Sequence, residues 1–119
     1  MSFVRVCRIE EIAAGAARVL SDAPEPIAVF NVAGRFFATQ DRCTHGQFSL
    51  SESYIEGDQV VCALHNGRFC IRTGKRLSPP VCRALRTFDV AVREGEVHVD
   101  IDSGAYVARD GAGANDDVG

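Results

Sequence analysis

Two short segments, each holding one cysteine and one histidine, restrict what this chain can fold into: Cys43-Thr44-His45-Gly46 and Cys62-Ala63-Leu64-His65-Asn66-Gly67. Sixteen residues, Gly46 to Val61, separate His45 from Cys62. A fold that uses them together must bring two loops to one place. Two thiolates and two imidazoles then form a donor set suited to a metal centre with two chemically different ends, since thiolate selects zinc or iron–sulfur iron and imidazole tolerates zinc, copper or iron.

The rest of the chain has the pattern of a small all-β domain. Phe3 to Cys7 alternates as a first strand, Ile9 to Ile12 forms one helical turn, and a second strand lies near Ala16 to Leu20. Ile27–Asn31 and Arg35–Thr39 are β-branched and aromatic, joined as a hairpin through Val32-Ala33-Gly34. Phe88, Val90 and Val92 alternate with Asp89, Ala91 and Arg93; after Glu94-Gly95, Val97, Val99 and Ile101 alternate with Glu96, His98 and Asp100. This predicts a second hairpin, half-buried, with His98 on its solvated face. Between the hairpins, Gln40 to Pro80 is less regular, with short strands near Gln59–Val61 and Arg68–Ile71, and a loop-rich stretch of that length inside a domain is usually functional. One domain is expected over 1–108, with functional loops at about 40–82 and a flexible Gly/Ala/Asp-rich tail over 109–119.

Composition narrows the function classes. The chain has 119 residues, 46% of them apolar, and no apolar run reaches the roughly 18 to 20 residues of a membrane-spanning helix. The N-terminus lacks a signal-peptide pattern, so the cytoplasm is the expected compartment. There Cys7, Cys43, Cys62, Cys70 and Cys82 should be thiols or ligands rather than disulfides. Cys7, Cys70 and Cys82 read as small buried hydrophobes. Charge is uneven: residues 41–86 carry seven basic and four acidic side chains, and residues 87–119 carry two basic and eight acidic. Such asymmetry is either solvated surface or a means of steering a charged partner. Nucleic acid is excluded as a partner, because the net charge is −3 and the basic residues lack interleaved aromatics.

Zinc competes with iron–sulfur for the four ligands. Structural zinc sites usually pair two cysteines and then two histidines three to five residues apart, whereas each box here mixes the two types. Mixed boxes let both thiolates take one iron of a two-iron cluster while both imidazoles take the other. Gly46 and Gly67 follow the histidines, where a missing Cβ lets backbone N–H groups approach the sulfurs.

With these residues in view, the chain resembles the Rieske [2Fe–2S] ferredoxins of bacterial aromatic ring-hydroxylating dioxygenase systems, the biphenyl-dioxygenase type in particular. The likeness is carried by 41–46 and 62–69, extended by Ala38-Thr39-Gln40, Leu50-Ser51, Thr73-Gly74-Lys75 and Ser78-Pro79-Pro80, and it spans roughly residues 3–101. It implies an antiparallel Rieske-type β-sandwich with a cluster-binding loop subdomain. It also implies one [2Fe–2S] cluster per chain, with Cys43 and Cys62 on the inner iron and His45 and His65 on the outer, and Pro79 and Pro80 in a third loop over the cluster. The second cysteine of each box found in high-potential Rieske proteins is missing, and Arg68 stands where those proteins carry serine. The resemblance therefore implies a low potential, toward the roughly −150 mV end of the Rieske range, falling further as the imidazoles deprotonate.

The implied role is a monomeric one-electron shuttle, not an enzyme, between an NAD(P)H-dependent flavoprotein reductase and a terminal ring-hydroxylating oxygenase. Only His98 lies outside the boxes, so a mononuclear iron site of two histidines and a carboxylate cannot be built as well, and no dinucleotide fingerprint appears. The alternatives are a small Rieske-type subunit of a nitrite-reductase-like complex and a zinc-stabilised binding module.

Overall fold

Ile27 to Asn31 forms an unbroken buried run because the strand that contains it has a hydrophobic core on each face. In the computed structural model, which describes residues 2–43, 48–62, 67–78 and 84–106, eleven strands form three antiparallel sheets. They are β1 (Phe3–Arg8), β2 (Ala17–Leu20), β3 (Ile27–Val32), β4 (Arg35–Gln40), β5 (Tyr54–Glu56), β6 (Gln59–Val61), β7 (Arg68–Cys70), β8 (Arg76–Ser78), β9 (Thr87–Phe88), β10 (Val90–Arg93) and β11 (Glu96–Asp100). Single turns of 3-10 helix cover Ile9–Glu11 and Leu50–Glu52.

The central sheet has the order β2-β3-β4-β9, the outer sheet β1-β11-β10, and the third sheet β5-β6-β7-β8. Successive side chains of a strand point to opposite faces, and β3 uses that alternation to join two cores. Ile27 and Val29 pack with Cys7, Leu20, Ala38, Phe88, Val97 and Val99 on the outer-sheet side. Ala28 and Phe30 pack with Cys43, Leu50, Val60, Cys62, Phe69, Ile71 and Leu85 on the other. The expected all-β architecture is thus present, and the third sheet and its loops form the expected subdomain against one face of the sandwich.

The β3–β4 and β10–β11 hairpins close through the two-residue turns Ala33-Gly34 and Glu94-Gly95, all four residues at positive φ (52, 89, 51 and 77°). These turns match the right-handed twist of the flanking strands. Asn31 reinforces the first turn, accepting from Gly34 N–H and donating to the Ile12 carbonyl, each at 2.7 Å.

Three expectations are modified. The strand expected from Phe88 to Val92 is two: Phe88 pairs with Ala38 of the central sheet, Asp89 breaks the ladder, and Val90 begins pairing with the outer sheet. As a result Val92 is exposed, while Asp100 is buried with Oδ1 accepting from the N–H groups of Ser2 (2.9 Å) and Asp102 (3.0 Å). His98, expected in solvent, is only partly exposed. Its strand β11 is flanked by β1 and β10, and its Nδ1 is buried with no hydrogen-bond partner among the described residues. The stretch expected to be irregular contains the whole third sheet, including the unforeseen strands β5 and β8.

Candidate metal centre

Both cysteine–histidine segments are built on one plan. Val61 pairs with Arg68 at the end of the β6–β7 pairing, so Cys62 and Gly67 flank that end, the second tip. Arg42 and Ser49 form an antiparallel bridge, so Cys43 and Phe48 flank a like end, the first tip. Each tip is closed by its cysteine N–H, donated to the carbonyl five residues on: Cys43 to Phe48 at 2.9 Å and Cys62 to Gly67 at 2.7 Å. The backbone thus fixes both cysteines at the base of a loop whose intervening residues carry the histidine.

Cys43 is 2% exposed and Cys62 fully buried, neither is in a disulfide, and both belong to one apolar core with Phe30, Leu50, Val60, Phe69 and Leu85. Two cysteine sulfurs inside one core are a soft donor pair of the kind that holds iron–sulfur iron or zinc. His45 and His65 lie outside the described residues, as do Pro79, Pro80 and Cys82. The other cysteines do not join the pair. Cys7 is in the core on the opposite side of the central sheet, where burial pushes its thiol above the usual range. Cys70 is buried but alternates with Phe69, so it points away from the core that Phe69 shares with Cys43 and Cys62.

A polar network beneath the first tip was not read from the sequence. Asp41 is buried, and its Oδ2 accepts from Ser49 Oγ (2.5 Å) while Oδ1 accepts from Ser51 N–H (2.8 Å). The single Ser49 hydroxyl proton goes to Asp41, so Ser51 Oγ donates to Ser49 Oγ (2.9 Å), giving a chain of hydroxyls that ends on the carboxylate. Backbone bonds add to it: Leu50 N–H donates to the Asp41 carbonyl (2.6 Å), and Asp41 N–H to the Pro26 carbonyl (3.0 Å). Next to it, Gln40 Nε2 donates to the Arg42 carbonyl (2.8 Å) and Oε1 accepts from Arg86 N–H (2.8 Å), with Gln40 N–H returned to the Arg86 carbonyl (2.9 Å). These bonds tie the first tip to the chain that follows residues 79–83. No periodicity marks Asp41 and Gln40 as buried, because their partners lie up to 46 residues away.

Three of the basic side chains of residues 41–86 are paired with carboxylates on the surface. Arg68 pairs with Glu56 (2.7 Å) and also donates to Gln59, Arg72 pairs with Asp58 (3.2 Å), and Arg86 pairs with Glu25. Phe48, at the end of the first tip, is 39% exposed beside Arg42.

Comparison with known proteins agrees with this geometry. The family model for the Rieske [2Fe-2S] domain matches residues 2–89. The chain is 46% identical over 109 residues to the biphenyl dioxygenase ferredoxin subunit of Pseudomonas sp. (strain KKS102), covering 91% of this chain and all of the relative. It is 45% identical over 104 residues to the biphenyl 2,3-dioxygenase ferredoxin component of Rhodococcus jostii (strain RHA1), covering 87% and 97%. Among solved structures it superposes with TM-score 0.78 and 40% identity, over 82% of this chain and 91% of the other, on a chain from a complex of reduced oxygenase and oxidized ferredoxin in carbazole 1,9a-dioxygenase. Two matched hairpin tips with buried thiols, on a sandwich of this topology, fit the cluster that defines these proteins, and the chain belongs to the Rieske [2Fe-2S] domain family.

Proposed function

We propose that this chain is the ferredoxin component of an aromatic ring-hydroxylating dioxygenase system, carrying single electrons from a flavoprotein reductase to a terminal oxygenase. The observation that carries the reading is that Cys43 and Cys62 are buried in one core, each with its N–H donated to the carbonyl five residues on. Full-length identity to ferredoxin subunits of biphenyl dioxygenases supports the pathway. The [2Fe–2S] group supplies one-electron chemistry when bound.

The chain's own residues supply position and environment. Cys43 and Cys62 would hold one iron of that group, in surroundings of Phe30, Leu50, Phe69 and Leu85 that exclude water. His45 and His65, two and three residues beyond the cysteines in the sequence, would hold the other iron. Arg68 bears on the potential: its guanidinium is engaged by Glu56 and Gln59. It therefore does not replace the serine hydroxyl that high-potential relatives direct at the sulfurs, which supports a low midpoint.

Absorption and electron-paramagnetic-resonance spectra of the reduced protein test the centre, and Cys43→Ser, Cys62→Ser, His45→Ala and His65→Ala should each abolish the native spectrum. A colourless protein containing zinc would overturn the reading. Reconstitution with a reductase and several aromatic-ring oxygenases tests the pathway, and no gain in substrate turnover on adding the ferredoxin would point to another acceptor.

A further inference from the structure

Asp41 is 7% exposed, its two carboxylate oxygens accept from Ser49 and Ser51, and no cation pairs with it among the described residues. A buried charge without a counter-ion is expensive unless fixed dipoles satisfy it. Among the described residues the dipoles come from Ser49 and Ser51, at the turn of 3-10 helix that follows the first tip. Asp41 precedes Cys43 by two residues, a backbone span of at most about 7 Å. Its carbonyl and carboxylate together accept Leu50 N–H, Ser51 N–H and Ser49 Oγ–H, so one residue just after β4 binds three consecutive residues at the start of the Leu50–Glu52 turn.

We propose that Asp41 is a positioning residue for the metal centre with an electrostatic role of its own. It locks the first tip so that Cys43 is presented toward Cys62, and its buried negative charge opposes the extra electron and so lowers the midpoint potential. The inference rests on Cys43 being a cluster ligand. Reduction adds one negative charge to the centre, and a charge shielded from solvent is screened little by salt. Removing it should therefore favour the reduced state at any ionic strength. A residue with only a structural role would not produce a salt-independent rise in potential.

The test compares the cluster-loaded wild type, Asp41→Asn and Ser49→Ala by redox titration in low and high salt, by electron paramagnetic resonance and by amide exchange. Asp41→Asn keeps the shape and loses the charge, so its midpoint should rise, equally in both salts, with the resonance still of the two-histidine type. Ser49→Ala keeps the charge and removes one donor. Its midpoint should stay at the wild-type value while the Cys43 and Ser51 amides exchange roughly threefold to tenfold faster, the effect of losing one net hydrogen bond. An unchanged midpoint in Asp41→Asn would overturn the electrostatic role, as would an equal rise in both variants. If Asp41→Asn does not fold, unaltered exchange in Ser49→Ala overturns the assignment by itself. Cys43→Ser checks the ligand reading separately: a native spectrum there would sink that reading, whereas loss of the spectrum beside a silent Asp41→Asn would sink only the role of Asp41.

Discussion

Gly74 should be among the least replaceable residues outside the two tips. It lies in the β7–β8 turn at φ +78°, and a Cβ built there would sit 2.3 Å from the Leu85 carbonyl oxygen and 2.9 Å from Thr87 Cγ2. Its N–H donates to the Cys70 carbonyl and its carbonyl accepts from Leu85 N–H, both at 2.7 Å, so it joins the third sheet to the segment that carries the core residue Leu85. In Gly74→Ala the left-handed backbone costs about 1–2 kcal/mol. Relieving the overlap must stretch at least one or two of these hydrogen bonds, each worth about 1 kcal/mol net. The total is about 3 kcal/mol, against a native stability of about 5–15 kcal/mol for a domain. With a urea slope near 2 kcal/mol per M, the unfolding midpoint should fall by about 1.5 M. The assay is urea titration followed by far-ultraviolet circular dichroism together with visible absorption of the centre. Gly74→Asn separates the two causes, because asparagine tolerates the left-handed conformation but still carries the Cβ, and it should recover only part of the loss. A shift below about 0.5 M for Gly74→Ala would refute the reasoning, since it would mean that the Leu85 carbonyl moves away freely.

Asp100 sets an acid limit on the outer sheet. The Ser2 N–H, followed by that of Asp102, holds its carboxyl below the usual carboxylate range. Its contribution is complete above the unfolded value, near pH 4, and is lost as pH falls through the lower folded value. Asp100→Asn should therefore be destabilising at neutral pH and progressively less so in acid, and equal destabilisation at both would contradict this. For Cys7, burial raises the thiol pKa, so the unfolded chain ionises first and stability should decline as pH rises past about 8.5 toward the folded value. In the native protein at neutral pH Cys7 should resist alkylation until the fold opens, and reaction at the rate of a free thiol would refute its burial. Asn31→Ala removes the partners of both Gly34 N–H and the Ile12 carbonyl and should destabilise by about 1–3 kcal/mol, read from thermal or urea unfolding.

Much of the fold was legible because strand and turn chemistry are local. Alternation marked β1 and β11, β-branched and aromatic composition marked β3 and β4, and Gly34 and Gly95 marked the turns between strand pairs. The third sheet was not legible in full, because strands of three residues, such as β5 and β8, are too short to show a period of two. Nor could alternation in 88–101 reveal that Phe88 and Val90 belong to different sheets, since both keep the same facing rule while the chain changes partners at Asp89.

At the metal centre the division is equally clear. Residue type alone determined the donor set, because thiolate and imidazole softness are properties of the side chains, and it also named Cys43, His45, Cys62 and His65 as the set to test. Only the tertiary structure decided that Cys43 and Cys62 share one core, while Cys7 faces the other side of the same sheet and Cys70 turns away. Only it placed Asp41 beneath the first tip and bound Gln40 to Arg86 across 46 residues. The physical reason is range. Softness, turn preference and side-chain alternation act within a few bonds, whereas burial and hydrogen-bond partnership depend on which distant strand packs against a given face.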